Sequence, residues 1–378
     1  MNQARPSHLP GLDGLRGIAV LLVFAFHERL LVGFGWVGVQ LFFVLSGFLI
    51  TRILVAQSDQ PAKPFFINFY GRRALRIFPL YYATLLALTA LTLTWQLLRS
   101  GTSQTAAQTL EQLPWAWLYA MNFLHVQQGF AHDHVLTHFW SLAVEEQFYL
   151  VWPMLIFAIP RKWLVPMLVA VVAAGPVLRA MTWSLAAACS LNPDDAALVL
   201  PWCQLDAFAV GGLFAVQPVS NSKRCIPWAL LAVAMIGLGT NPSPRWWWIG
   251  LDGMPVGLVQ LTIGLSALNA LCALIVSAVA FEGLGASTLQ DRRLVQVGGI
   301  SYGVYVFHFP IQAATELAAP HMSLLLKLPL DLMLTLAVSA ASYRWLEAPA
   351  LGLKSRLFGS AKAAAVAKTA GASPGQAR

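Results

Sequence analysis

Ten stretches of roughly 15–23 predominantly apolar residues recur along the chain, separated by more polar segments of which 99–138 is the longest. Runs of this length suit helices that cross the hydrocarbon core of a bilayer. The pattern predicts an all-α polytopic membrane protein with spans at 15–32, 36–56, 77–98, 139–159, 163–181, 198–217, 226–240, 260–282, 298–318 and 325–347. The stretch 244–258, with Trp246, Trp247 and Trp248, reads as interfacial because Trp favours the headgroup level; an eleventh short span is the alternative. From Lys354 onward Ala, Lys and Gly dominate without a periodic apolar face. Residues 1–353 are therefore taken as a membrane domain and 354–378 as a disordered cytoplasmic tail. The first apolar run opens near Leu15 and reads as a retained anchor rather than a cleaved leader.

Composition narrows the class. Of 378 residues, 58% are hydrophobic and 11% charged, with a mean hydropathy of +0.65. Soluble domains carry about 25% charged residues, so this chain cannot cover a water-facing surface. A disordered chain, a nucleic-acid binder and a disulfide-stapled secreted domain are excluded as overall descriptions. Net charge is 24 − 16 = +8, and the basic residues fall between apolar runs rather than in a nucleic-acid face. With the N-terminus inside, cytoplasmic loops hold Arg52, Lys63, Arg72, Arg73, Arg76, Arg161, Lys162, Lys223, Arg224, Arg292 and Arg293, and the tail adds Lys354, Arg356, Lys362 and Lys368. Arg99, Glu111, Asp133, Asp194, Asp195 and Arg245 fall outside. Excess Lys and Arg on the inner side sets orientation, which favours ten spans with both termini cytoplasmic. An eleventh would expel Arg292 and Arg293. Cys189, Cys203, Cys225 and Cys272 form no CxxC pair; a Cys189–Cys203 disulfide on an oxidising face is left open.

Ionisable residues inside spans are costly, by roughly 2.5–3.5 kcal/mol on insertion scales, so each asks for a reason. Arg16 and His27 are eleven residues apart, which at about 100° per residue puts them on one helix face, roughly 16 Å apart along the axis. His is the side chain best suited to exchange protons near neutral pH. In THFWSLAVEEQFYLVWP, Ser141, Glu145, Phe148 and Tyr149 form one stripe, with Glu146 about 100° away. Glu145 falls at a depth similar to His27 and is expected to orient or charge-stabilise its imidazole; pairing with an Arg is the structural alternative. Arg72, Arg73 and Arg76 cluster within about one turn, a pattern suited to phosphates and equally to orientation signals or anionic headgroups. Ser301, Tyr305 and His308 share a face in ISYGVYVFHFP, and Arg344 and Glu347 are three apart; these are read mainly as structural, with His308 a candidate for an acceptor-side cavity. His132, Asp133 and His134 make too thin a ligand set for a metal. There is no P-loop, no GxSxG elbow and no HExxH.

The segments LDGLRGIAVLLVFAFH, GVQLFFVLSGFLI, FYGRRALRIFPLYY, HFWSLAVEEQFYLVWP, ISYGVYVFHFPI and YRWLEAP, in this order between residues 12 and 349, resemble the acyltransferase 3 family of bacterial integral-membrane O-acyltransferases. The middle, about 160–295, matches loosely, chiefly at LPWCQLDAFAVGGLFA. The resemblance implies an acyl-CoA-dependent O-acetyltransferase of the bacterial inner membrane. It implies transfer of an acyl group, commonly acetyl, from cytoplasmic acetyl-CoA to a hydroxyl of a glycan or glycolipid, with no metal. Acceptors in such a family include O-antigen of lipopolysaccharide, exopolysaccharide, lipo-oligosaccharide and peptidoglycan sugars, and for some members macrolides. The family's Arg–ten residues–His motif corresponds to Arg16 and His27, and its Arg-x-x-Arg motif to Arg73 and Arg76. Some members carry an extra span and a fused hydrolase-like domain, which is not expected here.

Together these readings make His27 the general base or transient acyl carrier, Glu145 its partner, and Arg16 a group holding the donor or a nearby carboxylate. Arg72, Arg73 and Arg76 bind the donor's phosphates, and Ser141, Tyr149, Tyr305 and His308 support the acceptor side. A proton-coupled secondary transporter is the rival from another class; it calls for paired broken helices and an internal repeat, and neither is legible.

Overall fold

The computed structural model describes residues 9–28, 33–98, 104–130, 135–240 and 257–358. All regular structure among them is helical: α1 (Pro10–His27), α2 (Val37–Gln57), α3 (Ala62–Leu98), α4 (Gln104–Trp117), α5 (Met121–Gln128), α6 (Phe139–Ala158), α7 (Arg161–Ala188), α8 (Pro193–Val199), α9 (Pro201–Val216), α10 (Ser222–Thr240), α11 (Gln260–Glu282), α12 (Ala286–Leu289), α13 (Arg292–Gly299), α14 (Ser301–Ala318), α15 (Leu324–Ser342) and α16 (Ala348–Phe358). Large apolar side chains such as Leu86, Leu97, Met181, Leu185, Trp228 and Leu325 point outward, while Gln40, His138, Arg179, Asp206, Asn269, His308 and Asp331 are buried. This inversion is what a bilayer demands, because only internal partners can satisfy polar groups there. The protein is an all-α, multi-pass membrane protein.

A helix lies over each expected span, but the boundaries differ in ways that matter. Six helices among the described residues are long and apolar enough to cross a membrane, or up to eight if each of two bent pairs counts as one. Those pairs, α8–α9 bent by 40° and α13–α14 bent by 71°, are broken helices that the apolar pattern did not disclose. Helix α6 falls short on apolarity because it carries Glu145, Glu146 and Gln147 in its middle. Helix α3 starts fifteen residues before the expected span and continues through Pro79. At ~1.5 Å per residue its 37 residues reach about 55 Å, well beyond a ~30 Å hydrocarbon core, so its arginines sit on a continuous helix. The expected loop between spans three and four contains α4 and α5; the Tyr81 hydroxyl on α3 donates to the Ala116 carbonyl at 2.7 Å.

Residues 354–358, assigned to the tail by composition, continue α16 and pack on α3, where Arg72 Nη2 donates to the Phe358 carbonyl. The rest of that tail, the triple-Trp stretch apart from residues 257 and 258, and the loop with His132, Asp133 and His134 lie outside the described residues.

Two devices hold the helices that carry the site. Helix α2 packs most extensively along α9, with Gly47 beneath the Phe208 backbone and Gly211 beneath the Val44 backbone. A Cβ added at these glycines would come within 2.0 and 2.1 Å of the facing carbonyl oxygens. Small residues let backbones approach in this way. On the far side of α9, fully buried Arg179 on α7 grips Asp206 with two hydrogen bonds of 2.7 and 2.9 Å and also bonds the Cys203 carbonyl, the Thr262 carbonyl and Ser266. Such a pair costs about 3–5 kcal/mol to break from one side, and it ties α7, α9 and α11 together. Gly47→Val should cost about 3 kcal/mol, the upper range for overpacking, lowering the thermal midpoint of the purified protein well below that of Ala280→Val; equal midpoints would contradict the close α2–α9 crossing.

Candidate active site

Helices α1, α2, α3, α6, α14 and α16 line a cavity of about 320 Å³. Arg16, Arg72, Arg73, Arg76 and Lys354 line it, with Glu145 the one carboxylate among its lining residues. This imbalance gives the cavity a strongly positive interior. Moreover, the Nε atoms of Arg72 and Arg73 are buried without a hydrogen-bond partner. Unsatisfied buried donors are uncommon, and clustered guanidinium donors fit the oxygens of a phosphate.

Helix α6 supplies the acid. Ser141, Glu145 and Tyr149, read from the sequence as one stripe, do share the inward face, whereas Phe148 turns away to stack on Phe208 at 3.9 Å. Glu145 accepts hydrogen bonds from the hydroxyls of Ser46 and Tyr149. Its Oε1 lies 3.9 Å from Arg73 Nη2, and the Arg73 guanidinium sits 3.8 Å from the centre of the Tyr149 ring. Glu146 borders a second small space beside Arg16, Arg73 and Arg76. Arg16 lies 3.9 Å from Asp13, one turn earlier on α1.

The expected Glu145–His27 pair does not form. A similar height along two helices says nothing about direction, and Glu145 turns to the arginines. The partner of His27 is His308: Nδ1 of His27 and Nε2 of His308 are 3.0 Å apart. His308 Nδ1 lies 2.6 Å from the Tyr305 carbonyl, which can only accept, so Nδ1 carries the proton. With both rings neutral, His308 Nε2 is then an acceptor and His27 Nδ1 must donate to it. The consequence is an unprotonated Nε2 on His27, the form a general base requires. The ring is held further by Phe309 at 4.5 Å, and the Gln312 amide donates to the His27 carbonyl at 3.0 Å.

His27 does not line the arginine cavity. It borders a smaller space of about 30 Å³ with Trp36, Gln40, His138 and Trp140, and Val39 and Tyr305 line both spaces. The Tyr305 hydroxyl is latched to Ser141 and to the His138 carbonyl. Ser301 and Tyr305 thus face the large cavity while His308, one turn on, reaches His27: the predicted α14 face serves both chambers.

His138 and Gln40 were missed. His138 precedes the first residue of α6, outside the apolar run, and Gln40 sits within an otherwise apolar run; a buried polar residue in such a run was the signal available. Arg344 and Glu347 do not pair. The wider π turn over Tyr343–Glu347 changes the helical phase, leaving Arg344 exposed and Glu347 buried, facing Arg76. All four cysteines are free, so the Cys189–Cys203 bridge is not formed. Among the described residues no group of three His, Cys, Asp or Glu side chains is placed to hold a metal.

Fold and site define a multi-pass helical membrane protein with an arginine-lined cavity and a histidine pair beside it. More specifically, the chain belongs to the acyltransferase 3 family, whose model, described as an acyltransferase domain, matches residues 9–344. It is similar to the peptidoglycan O-acetyltransferase OatA of Listeria monocytogenes, 26% identical over 358 residues, which is 90% of this chain and 56% of that protein. It is also similar to the O-acetyltransferase OatA of Staphylococcus aureus, 35% identical over 158 residues, 40% of this chain and 25% of that protein. The chain therefore spans about half, or less, of the curated relatives it matches. No solved structure matches it.

Nitrogen NMR of histidine-labelled protein should show His27 with a protonated Nδ1 and a pyridine-like Nε2, and His308→Phe should remove that preference. The reverse tautomer in the unsubstituted protein would contradict the hydrogen-bond chain through His308.

Proposed function

We propose that this protein transfers an acyl group, acetyl in the first instance, from coenzyme A to a hydroxyl of a cell-wall glycan. The observation that carries the proposal is the pair of chambers with a common wall: an arginine-lined cavity on one side of Val39 and Tyr305, and the His27–His308 pair on the other. Peptidoglycan is the acceptor class favoured over O-antigen or exopolysaccharide, because it is named for the Listeria relative.

The donor's phosphates engage Arg72, Arg73 and Arg76, and its pantetheine arm passes Tyr305 toward His27. Glu145 keeps Arg73 in place and limits charge repulsion among the guanidiniums. The acceptor hydroxyl gives its proton to His27 Nε2 as its oxygen attacks the thioester carbonyl. The C–O bond forms, the C–S bond breaks, and the departing thiolate takes the proton from His27. His308 stabilises the transient imidazolium through the Nδ1–H···Nε2 bond, the orienting part that a carboxylate takes in other His-based sites. The distribution of basic residues supports a cytoplasmic arginine end and an outward His27 end in a bacterial cytoplasmic membrane. The bent pairs α8–α9 and α13–α14 are features the transporter reading calls for, but family membership and the phosphate-suited cavity weigh for acyl transfer.

With purified full chain, labelled acetyl-CoA and peptidoglycan fragments, His27→Ala should lower kcat by 10²–10⁴-fold, the range for a general base. Arg76→Ala should raise KM for acetyl-CoA about tenfold, the loss of one charged contact worth ~1.4 kcal/mol. Unchanged kcat in His27→Ala would overturn the proposed mechanism.

A further inference from the structure

The small chamber beside His27 has a chemical bias of its own. Gln40 is 1% exposed and its Oε1 has no hydrogen-bond partner; His138 is 2% exposed and its Nδ1 has none. The His138 tautomer follows from its other nitrogen: Nε2 lies 3.3 Å from the Val306 carbonyl and must donate to it. Nδ1 is then a bare lone pair. Its ring stacks on Phe309 at 4.8 Å and 10° and meets His308 edge-on at 4.7 Å, contacts that hold its orientation. With His27 Nε2, three hydrogen-bond acceptors border one space, and none has a donor from the described residues.

Buried acceptors without donors cost about 1–3 kcal/mol each. A site built this way favours a ligand that brings donors and rejects an isostere that lacks them, because the loss would leave the acceptors unpaired. The space of about 30 Å³ holds one or two water-sized groups. It therefore admits a hydroxyl and the carbon that bears it, but not a whole sugar ring, unless side chains move. Trp36 and Trp140, both buried, line the same space and give it apolar walls suited to the C–H groups of a ligand. Apolar walls beside clustered acceptors match a carbohydrate: C–H groups against the indoles, closely spaced O–H and N–H donors toward the acceptors.

We propose that Gln40 and His138 are acceptor-binding residues. They take hydrogen bonds from donors adjacent to the reacting hydroxyl, while that hydroxyl gives its own proton to His27. The transfer step balances as in the preceding section; Gln40 and His138 gain no proton and form no bond to the acyl group. This inference rests on the proposed acyl transfer and assigns the acceptor side of the same site.

The test uses the full chain in lipid nanodiscs with muramyl disaccharide-peptide fragments. Gln40→Leu and His138→Leu should each raise KM for the fragment about tenfold or more, with KM for acetyl-CoA within twofold of the unsubstituted protein. His138→Asn, whose Oδ1 occupies the place of Nδ1, should recover most of the loss. A purely structural role would instead lower the thermal midpoint and disturb both KM values. Direct binding of the fragment, followed by tryptophan fluorescence, separates this proposal from the catalytic one. If the unsubstituted protein binds the fragment but transfers nothing, acyl transfer falls, and weaker binding by the Leu variants still supports the pocket. Equal binding or equal fragment KM in folded Leu variants, or no binding by the unsubstituted protein, overturns the assignment of Gln40 and His138.

Discussion

The site depends on one hydrogen bond, from His27 Nδ1 to His308 Nε2 at 3.0 Å. It fixes which nitrogen of His27 is free, and it does so inside a body where unpaired polar groups are heavily penalised. The bond spans 281 positions of chain, so it exists only because α1 and α14 pack side by side. The rest of the helical arrangement secures that meeting. The Gly47–Gly211 crossing seats α2, which brings Gln40 and Ser46 to the two chambers, and the Arg179–Asp206 clasp anchors the opposite flank of α9.

Charge is sorted just as strictly. Five cations crowd one cavity with a single carboxylate on its wall, an arrangement that an entering anion would stabilise. A few side chains away, the histidine chamber is bordered by Gln40 and His138, whose Oε1 and Nδ1 atoms lack hydrogen-bond partners. Under the proposed function the two spaces select opposite chemistries: negative oxygens in the first, O–H and N–H groups in the second. Tyr305 stands between them, its hydroxyl tied to α6 through Ser141 and the His138 carbonyl. In the proposed reaction a ligand that reaches from one chamber to the other passes this residue, which would align donor and acceptor.

Much of this was legible in the chain. Helical spacing placed Ser141, Glu145 and Tyr149 on one face and Ser301, Tyr305 and His308 on another, because within a helix periodicity gives direction as well as height. Between helices it gives height alone. Glu145 was accordingly assigned to His27 on depth, while the fold turns it to Arg73 and supplies His308 instead. Arg179 and Asp206 are 27 residues apart on different helices, so no local pattern reveals their pairing. The π turn at Tyr343–Glu347 shifts phase and separates Arg344 from Glu347, a change that regular 3.6-residue counting cannot foresee. His138 was hidden by its place at a helix start, ahead of the apolar run that drew attention.

The central claim is that donor and acceptor meet at His27 from opposite sides of the membrane. Proteoliposomes with the arginine end facing the lumen, loaded with labelled acetyl-CoA and bathed in peptidoglycan fragments, test it directly. The account predicts labelled fragment outside, lost with His27→Ala and absent when acetyl-CoA is supplied only on the fragment's side. Equal labelling with the donor on the fragment's side, or undiminished labelling by the His27→Ala protein, would contradict it.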